Sequence, residues 1–132
     1  MKYFEQFVQN RKKCIKNLLM DQTFVSGLGN IYVNEALFMS KIKPLRACNS
    51  LTKNEIKSLI LNIKKILKFS ISKGGSSIRN FQNTLGKSGN FQQFFHVYEQ
   101  KNKNCSRISC KGKITKITIS NRSSFYCNSC QI

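Results

Sequence analysis

The chain has 132 residues, which is enough for one modest domain or for a helical domain with a small subdomain that is held together by a metal ion. It carries 23 lysines and arginines against 5 acidic residues, a formal net charge of +18, so we expect a polyanionic partner, with nucleic acid as the first candidate. No apolar run approaches the roughly 18 residues that a membrane span needs, and no signal peptide is evident. We therefore expect no membrane association and a reducing, cytosolic compartment.

Three long helices are predicted in the first part of the chain. Apolar residues recur at helical spacing over residues 3–19, and a second helix is expected over 31–40, because Pro44 prevents its extension. The third helix begins with the capping box Thr52-Lys53-Asn54-Glu55 and ends at Gly74-Gly75. Its other faces carry five lysines, interpreted as a solvated surface: Lys53, Lys57, Lys64, Lys65 and Lys68.

The elements predicted beyond the third helix are short. They are a helix at 76–81, a mobile loop at 83–90, a strand at 94–98, and two hairpin strands at 114–119 and 124–127. The boundary between the helical part and the hairpin is expected around residues 91–104. We therefore predict a helical domain at 1–92 and a hairpin domain at 93–132.

Four cysteines near the end of the chain are spaced C-x4-C-x16-C-x2-C, namely Cys105, Cys110, Cys127 and Cys130. Four thiolates brought together from two turns make a tetrahedral Zn²⁺ site, and the interval between the pairs is long enough for a β-hairpin. A disulfide framework is the alternative, which a reducing compartment disfavours. Because so short a segment cannot build a core, we expect one structural zinc ion to hold the hairpin folded. Cys14 and Cys48 are expected to be small buried hydrophobes.

The sequence Gly27-Leu28-Gly29-Asn30 connects the first two predicted helices. The two glycines allow positive φ and a close backbone approach, and such a turn can present backbone N–H groups at a helix N-terminus to a phosphate. Asn30 could instead cap the helix that it begins. Alone the signal is weak, because most glycine-rich helix connections bind no ligand.

Taken together, these segments resemble the formamidopyrimidine-DNA glycosylases. The run from Gly27 to Phe38 (GLGNIYVNEALF) is similar to the helix–two-turn–helix signature of that family, and residues 122–131 are similar to its terminal zinc finger. Other matching segments are Ile15-Lys16, Leu19, Asp21, 74–79, 86–89 and 96–98. One departure is the first cysteine pair, which is C-x4-C where the family has C-x2-C.

The resemblance implies a mainly α fold, with a helix–two-turn–helix domain followed by a β-hairpin zinc finger. Family members excise oxidised purines from DNA and cleave the abasic strand by β- and δ-elimination, with an N-terminal proline as nucleophile beside a glutamate. This sequence starts Met1-Lys2-Tyr3 and contains no Pro-Glu pair. We expect it to be the DNA-binding part, inactive alone, with the catalytic N-terminal domain belonging to a longer product or supplied in trans.

The resemblance also assigns roles to individual residues. Asn30 and Arg122 would contact phosphates flanking the lesion, and Arg122 would be the proton donor for δ-elimination. The residues expected to bind DNA are Asn30, Arg122, Lys16, Lys12, Tyr98, Gly27 and Gly29, with residues 76–91 as the loop that covers the damaged base. The expected partner is double-stranded DNA with a damaged base or an abasic site, bound by a monomer in a bacterial cytosol.

Two other functions stay open at this point. An endonuclease VIII-type glycosylase for oxidised pyrimidines is the nearer alternative, although Ile31-Tyr32 and Val97-Tyr98 favour the purine-directed branch. A non-catalytic zinc-ribbon adaptor that binds structured RNA or a ribosomal surface is the alternative from a different class, and the Gly-Leu-Gly-Asn turn argues against it.

Overall fold

The computed structural model of the chain describes residues 2–21, 29–72 and 95–132. The predicted helix at 76–81, the loop at 83–90 and the helix end at Gly74-Gly75 lie outside these ranges. Within the described ranges, four helices come first, then a two-stranded antiparallel sheet: α1 Lys2–Gln9, α2 Ile15–Leu19, α3 Asn30–Met39, α4 Lys53–Ser72, β1 Ile114–Ile119 and β2 Arg122–Cys127, with a 3₁₀ turn at Cys48–Ser50.

The prediction of one continuous helix over 3–19 is wrong, because α1 and α2 are separated by a break. At the break the chain pairs with the segment after α3. Cys14 forms a β-bridge with Ala47, and the Ile15 amide donates to the Arg46 carbonyl at 2.8 Å. These long-range hydrogen bonds satisfy backbone groups at the start of α2. The apolar residues therefore keep a helical spacing, although the backbone between α1 and α2 is not helical.

The core of the helical part is built around α3. Its residues 31–38 are all buried, as expected for a central helix that is covered on every side. Helix α4 packs against it with one face. The capping box is confirmed, since the Thr52 amide donates to Glu55 Oε1 at 2.9 Å and the Glu55 amide donates to Thr52 Oγ1 at 3.1 Å. The five lysines of α4 are all exposed, as predicted.

The hairpin pairs Ile114 with Cys127 and Ile119 with Arg122. Strand β1 has the predicted bounds, whereas β2 begins two residues earlier than predicted. The two residues of the turn, Ser120 and Asn121, have φ of 49° and 66°. Positive φ at both positions matches the right-handed twist of the strands, which is why two residues suffice.

The predicted strand at 94–98 is not formed over its described residues, because 96–99 make turns and bends. The backbone N–H groups of this segment do not pair with a strand but with one carboxylate, that of Glu35 on α3. Phe94 lies outside the described residues. Within the described ranges, none of the helices combines the length and the apolarity of a membrane span.

Candidate nucleic-acid interface

The N-terminal end of α3 meets the hairpin at one backbone carbonyl, that of Ser123 on β2. Three side chains point donors at this oxygen: Asn30 Nδ2 at 3.1 Å, Asn34 Nδ2 at 3.4 Å and Lys16 Nζ at 3.4 Å. The Oδ1 atom of Asn34 also accepts a hydrogen bond from the Phe125 amide at 2.9 Å. Both the nitrogen and the oxygen of this side chain therefore bind β2. The helix that carries Asn30 and the strand that carries Arg122 are therefore fixed side by side.

Arg122 is the first residue of β2, and its side chain is exposed next to the contact at Ser123. Asn30 is half-buried, and among the described residues no donor reaches its Oδ1 atom. The structure thus brings together Asn30 and Arg122, the two residues for which the sequence predicts phosphate contacts. An exposed guanidinium beside a helix N-terminus is an arrangement suited to binding an anion.

Lys16 is buried, which the sequence did not predict. Its side chain is 1% exposed, and its Nζ donates to Ser124 Oγ at 2.5 Å. The pKa of the Lys16 amine is lowered to about 8, mainly by burial; Cys14 opposes the shift and the nearby Arg122 guanidinium adds to it. The amine therefore faces β2 directly behind the surface that Arg122 and Asn30 form.

The other predicted DNA-binding residues differ in their placement. Lys12 is exposed in the link between α1 and α2. Tyr98 is half-buried, with its ring edge-to-face against Phe125 at 5.3 Å between centroids, and burial raises its pKa. Gly29 precedes α3 with φ of −83°, so it does not use the positive φ that glycine allows. Gly27 and the covering loop at 76–91 lie outside the described residues.

Glu35 was missed by the sequence analysis as a positioning residue. Its carboxylate accepts the backbone N–H groups of three consecutive residues, His96 at 2.7 Å, Val97 at 2.9 Å and Tyr98 at 3.0 Å. Burial raises the pKa of the Glu35 carboxyl, and the three N–H donors oppose this shift. The signal in the sequence was an acidic residue in the middle of a helix whose other residues are nearly all apolar.

The four predicted cysteines come together at the open end of the hairpin. Their Sγ atoms all lie within 4.8 Å of one another, with 3.8 Å between Cys105 and Cys130 and 3.6 Å between Cys110 and Cys127. Burial raises the pKa of Cys127, but the amides of Cys130 and Ser129 at 3.4 Å, together with the thiols of Cys130 and Cys110, outweigh it and bring the pKa to about 7. The cluster could hold a metal ion.

Gly112 is required for the close approach of the two cysteine turns. A Cβ atom at this position would lie 2.6 Å from Cys127 Sγ and 2.6 Å from Ser129 Cβ, which is closer than real Cβ contacts. The prediction that the remaining thiols are buried is confirmed for Cys48, whereas Cys14 is only half-buried. His96 lies outside the cysteine cluster, with its Nδ1 at 2.8 Å from Ser106 Oγ.

Comparisons with known proteins agree with the geometry. The family model of the formamidopyrimidine-DNA glycosylase H2TH domain matches residues 1–82. The formamidopyrimidine-DNA glycosylases of Oceanobacillus iheyensis and Streptococcus pyogenes serotype M6 are 42% and 44% identical over 131 residues. In both cases 99% of this chain is covered, but only 46% and 47% of the relative. The chain therefore spans less than half the length of the curated relatives it matches.

Solved structures give the same result. A Lactococcus lactis Fpg bound to DNA with an abasic site has a TM-score of 0.84 and 39% identity, covering 99% of this chain and 46% of that one. A MutM bound to DNA with carbocyclic 8-oxo-G has a TM-score of 0.84 and 37% identity, with the same coverage. Since the family model matches more than half of the residues, the chain belongs to the formamidopyrimidine-DNA glycosylase family.

Proposed function

We propose that this chain is the DNA-binding part of a base-excision-repair glycosylase and abasic-site lyase that acts on oxidised purines such as formamidopyrimidine and 8-oxoguanine. The single observation that carries the proposal is the convergence of Asn30, Asn34 and Lys16 on the Ser123 carbonyl. This contact fixes the start of α3 beside Arg122, so one surface offers a helix N-terminus and a guanidinium to the same strand of DNA. The net charge of +18 supports a polyanionic partner.

The proposed metal in the cysteine cluster is one structural zinc ion, which would make the hairpin a zinc finger. A tetrahedral site with Zn–S bonds of about 2.3 Å requires sulfur–sulfur separations of about 3.8 Å. Two of the six separations, 3.8 Å and 3.6 Å, match this value, and all six are within 4.8 Å. Cys105, Cys110, Cys127 and Cys130 would be the ligands, and the amides that donate to Cys127 would stabilise its thiolate.

The proposed roles of the residues follow their placement. Arg122 and Asn30 would contact phosphates flanking the lesion, and in the whole enzyme Arg122 would donate the proton for δ-elimination. Lys16 would support the same phosphates from behind through its positive charge. Lys12, Tyr98, Gly27 and Gly29 keep the DNA-binding roles that the family resemblance implies, and residues 76–91 keep the role of the loop over the damaged base.

The division into domains at 1–92 and 93–132 stays part of the proposal, with a monomer acting in the bacterial cytosol. The catalytic proline and glutamate of the family would belong to the part of the relatives' length that this chain does not span. Two solved relatives support the choice of substrate, because one is bound to DNA with an abasic site and the other to DNA with carbocyclic 8-oxo-G.

An oxidised pyrimidine is the second candidate substrate. A Lactococcus lactis Fpg with 38% identity and a TM-score of 0.80 was solved with DNA containing an oxidised pyrimidine. Phosphate contacts do not distinguish the two lesions, because they carry no base information. Matched duplexes that differ only in the lesion would rank the two substrates once the catalytic domain is present.

The binding mode can be tested by fluorescence anisotropy with the zinc-loaded chain. The ligands are a DNA duplex with a tetrahydrofuran abasic analogue and an A-form RNA duplex of equal length. We expect tighter binding to the DNA. If about 4–6 phosphates are engaged, log K should fall against log[salt] with a slope of about −4 to −5. Equal affinity for the two duplexes would favour the zinc-ribbon adaptor, and a slope near zero would contradict the phosphate surface.

A further inference from the structure

The first cysteine turn places an arginine against the cysteine cluster. Four residues, Ser106 to Ser109, separate Cys105 from Cys110. The guanidinium of Arg107 turns inward from this segment, and its Nη1 donates to Cys130 Sγ at 2.8 Å. The adjacent Ile108 is 97% exposed, so the turn sends its arginine inward and its largest apolar side chain outward.

The same guanidinium also contacts the C-terminal end of α3. Its Nη2 donates to the Phe38 carbonyl, and its Cζ lies 3.9 Å from the centroid of the Phe38 ring. Phe38 is in the last turn of α3 and is 3% exposed, so this contact reaches into the core beneath the hairpin. A cation at this end of a helix also complements the negative end of the helix dipole.

The chemistry of Arg107 suits this double contact. Among the described residues no carboxylate pairs with it, so a sulfur and a backbone carbonyl are its polar acceptors. The planar guanidinium of an arginine has several N–H donors, so it can donate to both acceptors while its face stacks on an aromatic ring. The ammonium group of a lysine cannot do both. Four thiolates around one Zn²⁺ would carry a net charge of −2, which a neighbouring guanidinium offsets.

Helix α3 is therefore attached to the hairpin region at both of its ends. Asn30 and Asn34 bind β2 at the N-terminal end, and Arg107 joins Phe38 to the second cysteine turn at the C-terminal end. The end of the chain also bonds the segment after α3, because Gln131 Nε2 donates to the Ile42 carbonyl at 2.8 Å. Arg107 adds a contact between α3 itself and a cysteine sulfur. Attachment at both ends of α3 fixes the direction of the hairpin and with it the position of Arg122.

We propose that Arg107 is a positioning residue that couples metal binding to the alignment of α3 with the hairpin. It would act as an outer hydrogen-bond donor to Cys130, so that the occupied cysteine cluster is tied to the helix that presents Asn30. This inference rests on the proposed zinc site. A simpler role, packing on the Phe38 ring alone, predicts no effect on the metal, and this difference makes the two roles separable.

The test compares Arg107→Ala and Arg107→Lys with Lys111→Ala, a control that removes one positive charge at an exposed position next to Cys110. Zinc affinity is measured by competition with a chelating chromophore. Arg107→Ala should weaken zinc binding by about 10- to 100-fold, as loss of an outer-shell partner does elsewhere. Arg107→Lys should weaken it less, and Lys111→Ala should remain within about twofold of the wild type.

A second readout reports the contact with the helix. In zinc-saturated protein, the ¹³C shift of the Phe38 carbonyl should move in both Arg107 variants and stay in place in Lys111→Ala. Arg107→Lys keeps the charge and the aliphatic stem, so it remains informative even if Arg107→Ala fails to fold. Zinc affinity that is unchanged in Arg107→Lys would overturn the proposal, whether or not the Phe38 shift moves, because packing on the Phe38 ring alone predicts that result. A wild-type chain that takes up no zinc would overturn the zinc site itself.

Discussion

The helical region and the hairpin region of this chain are stabilised in different ways. In the helical region, a continuous apolar cluster extends from Val8 to Ile63, and α3 is buried at its centre. The hairpin region has a small apolar cluster that includes Cys105, Cys127 and one residue of α3, Phe38. Apolar burial is therefore sufficient to explain the helices, whereas the hairpin depends on its cysteines and on polar contacts with α3.

Removal of the proposed zinc ion should have the largest effect and should separate the two regions. Zinc binding in small zinc fingers is worth about 10–16 kcal/mol, so a chelator should unfold the hairpin and leave the helical core intact. Hydrogen exchange followed by NMR would show lost protection over 114–127 and retained protection in α4. Loss of protection in both regions together would mean that they fold as one unit, and retained protection in the hairpin would mean that the metal is not needed.

A cavity in the helical core is the next largest change. Leu59 is 0% exposed on α4 and Leu61, on the same helix, is 56% exposed, so the same substitution can be compared at both sites. Leu59→Ala should lower the free energy of unfolding by about 2–5 kcal/mol, and Leu61→Ala should change it by less than about 0.5 kcal/mol. Denaturant titration followed by helical circular dichroism measures both. Similar losses in the two variants would contradict the placement of α4.

Glu35 links the two regions, and its substitution should have a smaller effect on stability. In Glu35→Gln, an amide NH₂ replaces one of the oxygens that accept the amides of residues 96–98, which leaves at least one buried donor unpaired. We expect a loss of about 1–3 kcal/mol in stability. Glu99→Gln, at an exposed position, is the matched control. Equal stability of the two variants would show that these hydrogen bonds do not hold the segment.

The pH dependence of Lys16 should be the smallest effect. Its pKa in the folded chain is about 8, below the ordinary 10.5, so between these values the unfolded chain binds more protons than the folded one. Stability should therefore rise with pH from 8 towards 10.5, by at most about 1.4 kcal/mol per pH unit. Denaturation midpoints of zinc-loaded wild type and Lys16→Met at pH 7.5, 8.5 and 9.5 isolate this contribution. Parallel profiles would show that the Lys16 amine keeps an ordinary pKa.

Much of the architecture could be predicted from local patterns in the sequence. The capping box at Thr52, the bounds of β1 and the cluster of four cysteines were all correct, because each depends on residues close together in the chain or on a fixed ligand spacing. The break between α1 and α2 could not be predicted. It depends on pairing of Cys14 with Ala47, which is 33 residues away.

The candidate site was predictable only in part, for a related reason. The family resemblance indicated Asn30 and Arg122, and the structure brings them together. It did not indicate that Lys16 is buried behind them, that Glu35 replaces a strand partner for residues 96–98, or that Arg107 contacts Cys130. These are contacts between residues that are distant in the chain, and no periodicity or spacing encodes them.

The affinity of Arg122→Ala for an abasic-site duplex is the most direct test of the proposed phosphate surface. It should be measured in zinc-loaded protein over a range of salt concentrations, with Lys64→Ala on the exposed face of α4 as the control. We expect weaker binding by about tenfold, together with a salt slope that is shallower by about one unit, in Arg122→Ala only. Affinity and slope equal to those of the wild type would contradict the proposed phosphate surface.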